Sequence, residues 1–243
     1  MANKLVQVFK KFVELLTPEG VSCVNCGREI FEGSLCTDCK KEFFKNDKKR
    51  CKRCSRPTVS VDDVVCEQCK QVGEVYYDQA FSPLVYTGVA LALVRKYKYH
   101  ERRDIGKFLS EFMVEEFFNI PEVDYIIPVP MWRGKRKDRL YSTADELSQY
   151  VGSAVGLKVM TDIVEKTRDT GSQTELSGTE RLQNVKGSFK VAKRVEVRGK
   201  RILVIDDVFT TGATVDEIAR VLKGAKADKV YVLTSAIAVK HKE

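Results

Sequence analysis

Between Arg201 and Thr214 the chain reads Arg-Ile-Leu-Val-Ile-Asp-Asp-Val-Phe-Thr-Thr-Gly-Ala-Thr, an apolar run that ends in two acids and a small hydroxyl-bearing loop. Ile202 to Ile205 show no alternation of apolar and polar residues, the pattern of a central strand in a parallel sheet buried on both faces. Val215, Ile218, Ala219 and Leu222 recur at helical spacing and give the helix behind it. The turn between them therefore lies at the carboxyl end of a strand. There the backbone N–H groups of Thr210, Thr211, Gly212, Ala213 and Thr214 can converge on a phosphate, helped by the helix N-terminus, with Gly212 allowing close backbone approach. Asp206 and Asp207 are acceptors and suit ribose hydroxyls rather than phosphate. An acidic pair at such a turn also serves as a helix cap or magnesium ligand, but the hydroxyl-rich loop goes beyond what a cap needs.

The whole string resembles the signature of type I phosphoribosyltransferases. That resemblance implies that Asp206 and Asp207 hold the ribose hydroxyls of phosphoribosyl pyrophosphate (PRPP), that Thr210, Thr211, Gly212, Ala213 and Thr214 hold its 5-phosphate, and that magnesium accompanies PRPP. Purine-salvage relatives carry an acid where this chain has Thr210, which disfavours a 6-oxopurine acceptor.

All eight cysteines fall upstream, as Cys23/Cys26, Cys36/Cys39, Cys51/Cys54 and Cys66/Cys69. Disulfides would suit a secreted chain, but beside a nucleotide site and without a signal-peptide core, thiolate metal ligation fits better. Zinc suits a closed set of four thiolates; an iron–sulfur cluster is the rival. Cys26-Gly27-Arg28 recurs as Cys54-Ser55-Arg56 and Cys39-Lys40 as Cys69-Lys70, an internal repeat. The repeat favours sequential ribbons, with Cys23, Cys26, Cys36 and Cys39 on one metal and Cys51, Cys54, Cys66 and Cys69 on the other, over an interleaved cross-brace.

With 243 residues and 43% hydrophobic content there is room for one full domain and a small one. The spacing predicts an amphipathic helix over 1–20, the double ribbon over 21–75 and the nucleotide domain over 76–243. No run is long enough to span a bilayer, and the expectation is a soluble, cytoplasmic protein. The formal charge of +8 falls to about +4 if each four-thiolate zinc site carries about minus two. Lys48, Lys49, Arg50, Lys52 and Arg53 cluster around the third cysteine pair, as candidate nucleic-acid contacts or as ordinary solvated surface.

Val123 to Val129 reads as a second buried strand running into Pro128-Val129-Pro130 and a basic cluster that includes Arg136 and Arg139. In type I phosphoribosyltransferases the corresponding loop receives the pyrophosphate, and the resemblance gives Pro128, Val129, Pro130, Arg136 and Arg139 that role. Thr143 to Glu146 reads as a capping-box start of a helix through Val155, and Leu157 to Val164 as a strand. Residues 166–184 are polar, with two glycines, as either a lid or a linker requires. Lys98-Tyr99-His100-Glu101-Arg102-Arg103 can stack on bases or simply end a helix with cations.

The zinc-type cysteine pairs, Leu93 to Arg103, Ile126-Ile127-Pro128-Val129-Pro130, then Gln173, Leu176, Arg181, Asn184, Gly187 and Phe189, and finally Asp206-Asp207 are similar, in that order, to the ComF (competence protein F, GntX-like) family. After Arg139 the family's Gly-aromatic-Asn-Gln stretch is replaced by Leu140-Tyr141-Ser142-Thr143. The resemblance implies an α/β fold of the type I phosphoribosyltransferase kind, a mostly parallel twisted sheet with flanking helices, preceded by a small double zinc ribbon with four cysteines to each metal. It also implies PRPP binding and a part in natural competence, with single-stranded DNA and DNA-uptake proteins as partners. Two other functions stay open at this point: an active phosphoribosyltransferase, for which only the donor half is recognisable, and a zinc-ribbon regulator with PRPP as effector.

Overall fold

The computed structural model describes residues 21–58, 65–132, 134, 141–171 and 183–239. The helix expected over 1–20 lies outside them. The chain opens with a short antiparallel hairpin, β1 (Val21–Ser22) and β2 (Glu29–Ile30). Two short helices follow, α1 (Thr37–Lys41) and α2 (Glu67–Val72), each beginning directly after a cysteine N-cap, Cys36 and Cys66. The knuckles repeat in backbone detail as well. Cys23 N–H donates to Arg28 C=O and Gly27 N–H to Cys23 C=O, while Cys51 N–H donates to Arg56 C=O and Ser55 N–H to Cys51 C=O. Gly27 sits at φ 76° and Ser55 at φ 66°, the left-handed region that glycine enters freely and serine enters at a cost.

The main sheet contains β3 (Gln79–Phe81), β4 (Leu84–Val85), β5 (Tyr125–Pro128), β8 (Arg201–Phe209) and β9 (Lys229–Ile237). Its order is β3-β9-β8-β5, with β4 also against β9, and every pairing is parallel. The unalternating run at Ile202 to Ile205 therefore occupies the middle of the sheet, as expected, with all four side chains fully buried. Successive side chains of β8 serve opposite cores. Leu203 and Ile205 pack with Leu93, Ile105, Leu109, Met113, Leu147 and Val151 from α3 (Gly88–Tyr99), α4 (Arg103–Phe117) and α5 (Thr143–Val155). Ile202 and Val204 pack on the other face with Ile218, Ala219 and Leu222 of α7 (Ala213–Gly224). A second antiparallel pair, β6 (Val164–Lys166) with β7 (Phe189–Val191), stands beside the sheet, followed by the short helix α6 (Arg194–Val197).

The ribbons are not appended to this body but built into it. Cys23, Cys36 and Cys39 belong to the core shared with α3 and α4, and Cys51, Cys54, Cys66 and Cys69 belong to the core shared with Phe209 and Val215. Backbone bonds close the joint: Asn46 N–H to Pro83 C=O at 2.7 Å, Val85 N–H to Phe44 C=O at 3.0 Å and Ala80 N–H to Arg53 C=O at 2.8 Å.

Two local expectations are corrected. The strand expected over Leu157 to Val164 is reduced to one parallel bridge, Ile126 with Val159, and regular pairing begins only at Val164. Ile126 N–H donates to Lys158 C=O and its carbonyl accepts from Met160 N–H, but the next donor due on β5 is Pro128, which has no N–H, so the ladder stops. The cap of α5 is Ser142, whose hydroxyl accepts from Asp145 N–H at 3.2 Å, rather than Thr143. The Thr143 hydroxyl is engaged elsewhere, by an acid of β8.

Candidate functional site

The eight thiols gather into two groups, Cys23, Cys26, Cys36 and Cys39, and Cys51, Cys54, Cys66 and Cys69, each with its sulfurs within 4.8 Å of one another. Sequential ribbons are thus the arrangement found. The Sγ···Sγ separations Cys26–Cys36 at 3.8 Å, Cys51–Cys69 at 3.9 Å and Cys54–Cys66 at 3.6 Å match the edge of a tetrahedron with metal–sulfur bonds of about 2.3 Å. Disulfides are far shorter, at about 2.05 Å. The donor sets fit zinc, and two four-cysteine sites of this kind make the folding of each ribbon depend on its metal.

At the carboxyl end of β8 the two acids diverge. Asp207 is 7% exposed; its carboxylate meets the Lys98 ammonium of α3 at 2.7 Å and accepts the Thr143 hydroxyl at 2.7 Å. Burial opposes the charge on Lys98, yet Asp207 in contact and Asp206 nearby hold it above the ordinary lysine range. Asp206 is half-buried and accepts the Asp207 N–H at 2.8 Å. Burial and the neighbouring Asp207 carboxylate push its carboxyl up to about 7, against the pull of Lys98 and Lys166. Asp207 is thus the anchored member of the pair and Asp206 the half-buried, more accessible one.

The loop that follows turns sharply at Gly212, the N-cap of α7, at φ 84°. A Cβ there would lie 2.7 Å from the Phe209 ring, so this turn admits glycine alone. Ala213 N–H donates to the Thr211 hydroxyl at 3.3 Å. The first N–H groups of any helix have no carbonyl one turn behind them, which leaves this turn donor-rich. Thr210, Thr211 and Thr214 are half-buried around it, and Gly212 and Ala213 are buried.

Pro128 ends β5 beside Ile205, and Val129 N–H donates to Ile205 C=O at 2.9 Å, so the Pro128-Val129-Pro130 turn lies next to the acids. Arg136 and Arg139 lie outside the described residues, as do Gln173, Leu176 and Arg181. The base of the 166–184 segment is stitched: Arg168 donates to the carbonyls of Asn184 and Lys186, and the Asn184 amide to Thr170 C=O. Of the basic cluster, Lys48, Lys49 and Lys52 are exposed. Arg50 pairs with the buried Glu116 at 2.6 Å, and Arg53 donates to Cys69 C=O at 3.0 Å. Reading the sequence alone missed the alignment of Lys98 and Thr143 with the acids. Both stood in stretches with sufficient local explanations, a basic helix end and a helix cap.

Residues 140–243 match the phosphoribosyl transferase domain and residues 12–70 match the double zinc ribbon domain. The molecule is therefore a phosphoribosyltransferase-fold protein preceded by a double zinc ribbon with two four-cysteine sites. The DNA utilization protein YhgH of Escherichia coli is 28% identical over 90% of this chain and 98% of its own length. Competence protein F of Haemophilus influenzae is 26% identical over 86% of this chain and 94% of its own, and competence protein ComFC of Streptococcus pneumoniae 25% identical over 83% and 88%. Both modules occur here in this order, and the chain is similar along most of its length to these competence and DNA utilization proteins. Among solved structures, the glutamine PRPP amidotransferase from B. subtilis aligns over 54% of this chain at 24% identity and TM-score 0.38, and the chain spans 26% of that enzyme.

The state of Asp206 carries a pH signature. Its carboxyl titrates at about 7 when folded against 3.8 for an ordinary aspartate, so the folded state holds this proton more tightly. The associated stability is complete below about pH 4 and is lost as pH rises through about 7. Asp206→Asn removes this dependence. Thermal unfolding at about pH 5 and about pH 8 should show the variant gaining on the parent as pH rises; a margin that does not change with pH contradicts the assignment.

Proposed function

We propose that this protein binds PRPP, together with magnesium, at the carboxyl end of β8, and that it acts in natural competence by handling incoming single-stranded DNA alongside DNA-uptake proteins. The observation that carries the donor site is the juxtaposition of a half-buried Asp206, an Asp207 held by Lys98 and Thr143, and a donor-rich turn at Gly212. In this reading the ribose hydroxyls donate to Asp206 first, because Asp207 is committed to its lysine. The N–H groups of Thr211, Gly212, Ala213 and Thr214 take the 5-phosphate, and Arg136 and Arg139 neutralise the pyrophosphate. Magnesium, when bound, supplies further neutralisation of the pyrophosphate oxygens.

The names of the relatives support the DNA part, and the exposed Lys48, Lys49 and Lys52 supply a phosphate-facing surface on the second ribbon. Among the described residues no helix is long and apolar enough to cross a membrane. Thiolate metal sites and a PRPP ligand favour a reducing compartment, the cytoplasm.

Asp206→Asn combined with Asp207→Asn is expected to abolish PRPP binding in a calorimetric titration while both metals stay bound; retained affinity refutes the donor site. Charge reversal at Lys48, Lys49 and Lys52 is expected to weaken single-stranded DNA binding and to lower its salt dependence by about 0.7 in slope for each lost phosphate contact. An unchanged slope removes this surface from the DNA interface.

A further inference from the structure

Arg56 is the residue through which the second ribbon meets the proposed phosphate loop. It is 9% exposed, and its guanidinium lies 5.5 Å from the centre of the Phe209 ring. Three of its N–H groups are directed to three different places: Nη1 to Cys54 Sγ at 3.4 Å, Nε to Ala238 C=O at 3.1 Å, and Nη2 to Thr210 C=O. Among the described residues no carboxylate pairs with it. A buried guanidinium without an acid is costly, so its charge has to be matched by something else. The matching group here is the Cys51, Cys54, Cys66 and Cys69 set, which with zinc bound carries a net charge of about minus two.

The internal repeat shows that the knuckle itself does not require this arrangement. Arg28 occupies the same position in the first ribbon, yet it lies on the surface, paired with Asp38 at 2.7 Å with both side chains 62% exposed. Arg56 instead turns inward. The preceding Ser55 holds a left-handed conformation, its hydroxyl accepting from Ser82 N–H at 3.3 Å and its carbonyl from the Asn46 amide at 2.8 Å. The second knuckle is thus locked onto β3 and the segment after it, with Arg56 aimed at the end of β8.

The contact with Thr210 has a direct geometric consequence. The peptide unit joining Thr210 to Thr211 is planar and trans, so its carbonyl and its N–H point in opposite directions. Pinning the carbonyl toward the ribbon turns the Thr211 N–H away from the ribbon. The bond to Ala238 C=O fixes the residue just after β9, whose N–H donates to Phe209 C=O at 2.8 Å. One side chain therefore holds both strand ends that frame the turn.

The geometry points to Arg56 as the positioning residue of the sugar-phosphate loop, with the second four-cysteine site as the anchor from which it acts. Metal loss at Cys51, Cys54, Cys66 and Cys69 is then felt as weakened sugar-phosphate binding some distance away. This inference rests on the donor-site reading above. Arginine is required for the role, since lysine retains the charge beside Cys54 but cannot reach three acceptors in a fixed fork.

The test uses the full, zinc-loaded chain and its Arg56→Lys and Arg56→Met variants, each titrated with PRPP, ribose 5-phosphate and inorganic pyrophosphate, with metal content measured alongside. Both variants are expected to keep both metals, to bind PRPP and ribose 5-phosphate about ten-fold more weakly, and to bind pyrophosphate as the parent does. In a Cys54→Ser background, where the anchor is already broken, adding Arg56→Lys should cost little more. Parent-like ribose 5-phosphate affinity in Arg56→Lys overturns the proposal. So does loss of metal from Arg56→Lys, which would make Arg56 a prop of the ribbon alone. A parent chain that binds neither PRPP nor ribose 5-phosphate overturns the donor-site reading itself.

Discussion

Two carboxylates on consecutive residues at the end of a buried strand repel each other and resist desolvation, and much of the nucleotide half of this protein is arranged around that difficulty. Asp207 is reconciled to burial by Lys98 and Thr143, contributed by α3 and α5, while Asp206 stays half-buried, its carboxyl pushed up to about 7 by burial and by Asp207. An isolated buried acid would simply stay protonated. The paired arrangement keeps one acceptor fixed and leaves the other more accessible, as the proposed contact with the ribose hydroxyls requires. Its cost is stability, a common outcome where a site demands strained electrostatics.

The ribbons take part in the same arrangement from two sides. In the first, the Asn25 amide donates to Cys39 Sγ at 3.3 Å, and its carbonyl groups receive the Lys96 ammonium two residues before Lys98. Arg102, just past α3, donates to Val24 C=O at 3.2 Å. The first four-cysteine site therefore holds the helix that delivers the lysine to Asp207. The second four-cysteine site holds Arg56, which reaches the turn after β8. A small ribbon cannot fold without its metal, so the two metals stand behind the two halves of one site.

The parts legible in the sequence were those with local periodicity or fixed spacing. The unalternating Ile202 to Ile205, the helical repeat from Val215 to Leu222 and the cysteine pairs each carry their signal within a few residues, and the repeat of the two knuckles indicated the metal pairing as well. The long-range contacts had no such signal. Arg56 and Thr210 are 154 residues apart, and nothing in Cys54-Ser55-Arg56 distinguishes it from Cys26-Gly27-Arg28 except the serine held in a glycine's conformation. The two local misreadings share one cause: the tertiary partner decided. Pro128 on the neighbouring strand ended the ladder at Val159, and Asp207 drew Thr143 away from the cap.

Phosphorus NMR of the zinc-loaded chain with PRPP and magnesium decides whether PRPP is held at the end of β8, because it reports separately on the 5-phosphate and the pyrophosphate. The resonances of both groups are expected to shift or broaden on addition of the protein, the 5-phosphate through the turn at Gly212 and the pyrophosphate through the loop after β5. A spectrum that does not change with both four-cysteine sites filled would contradict PRPP binding at the end of β8.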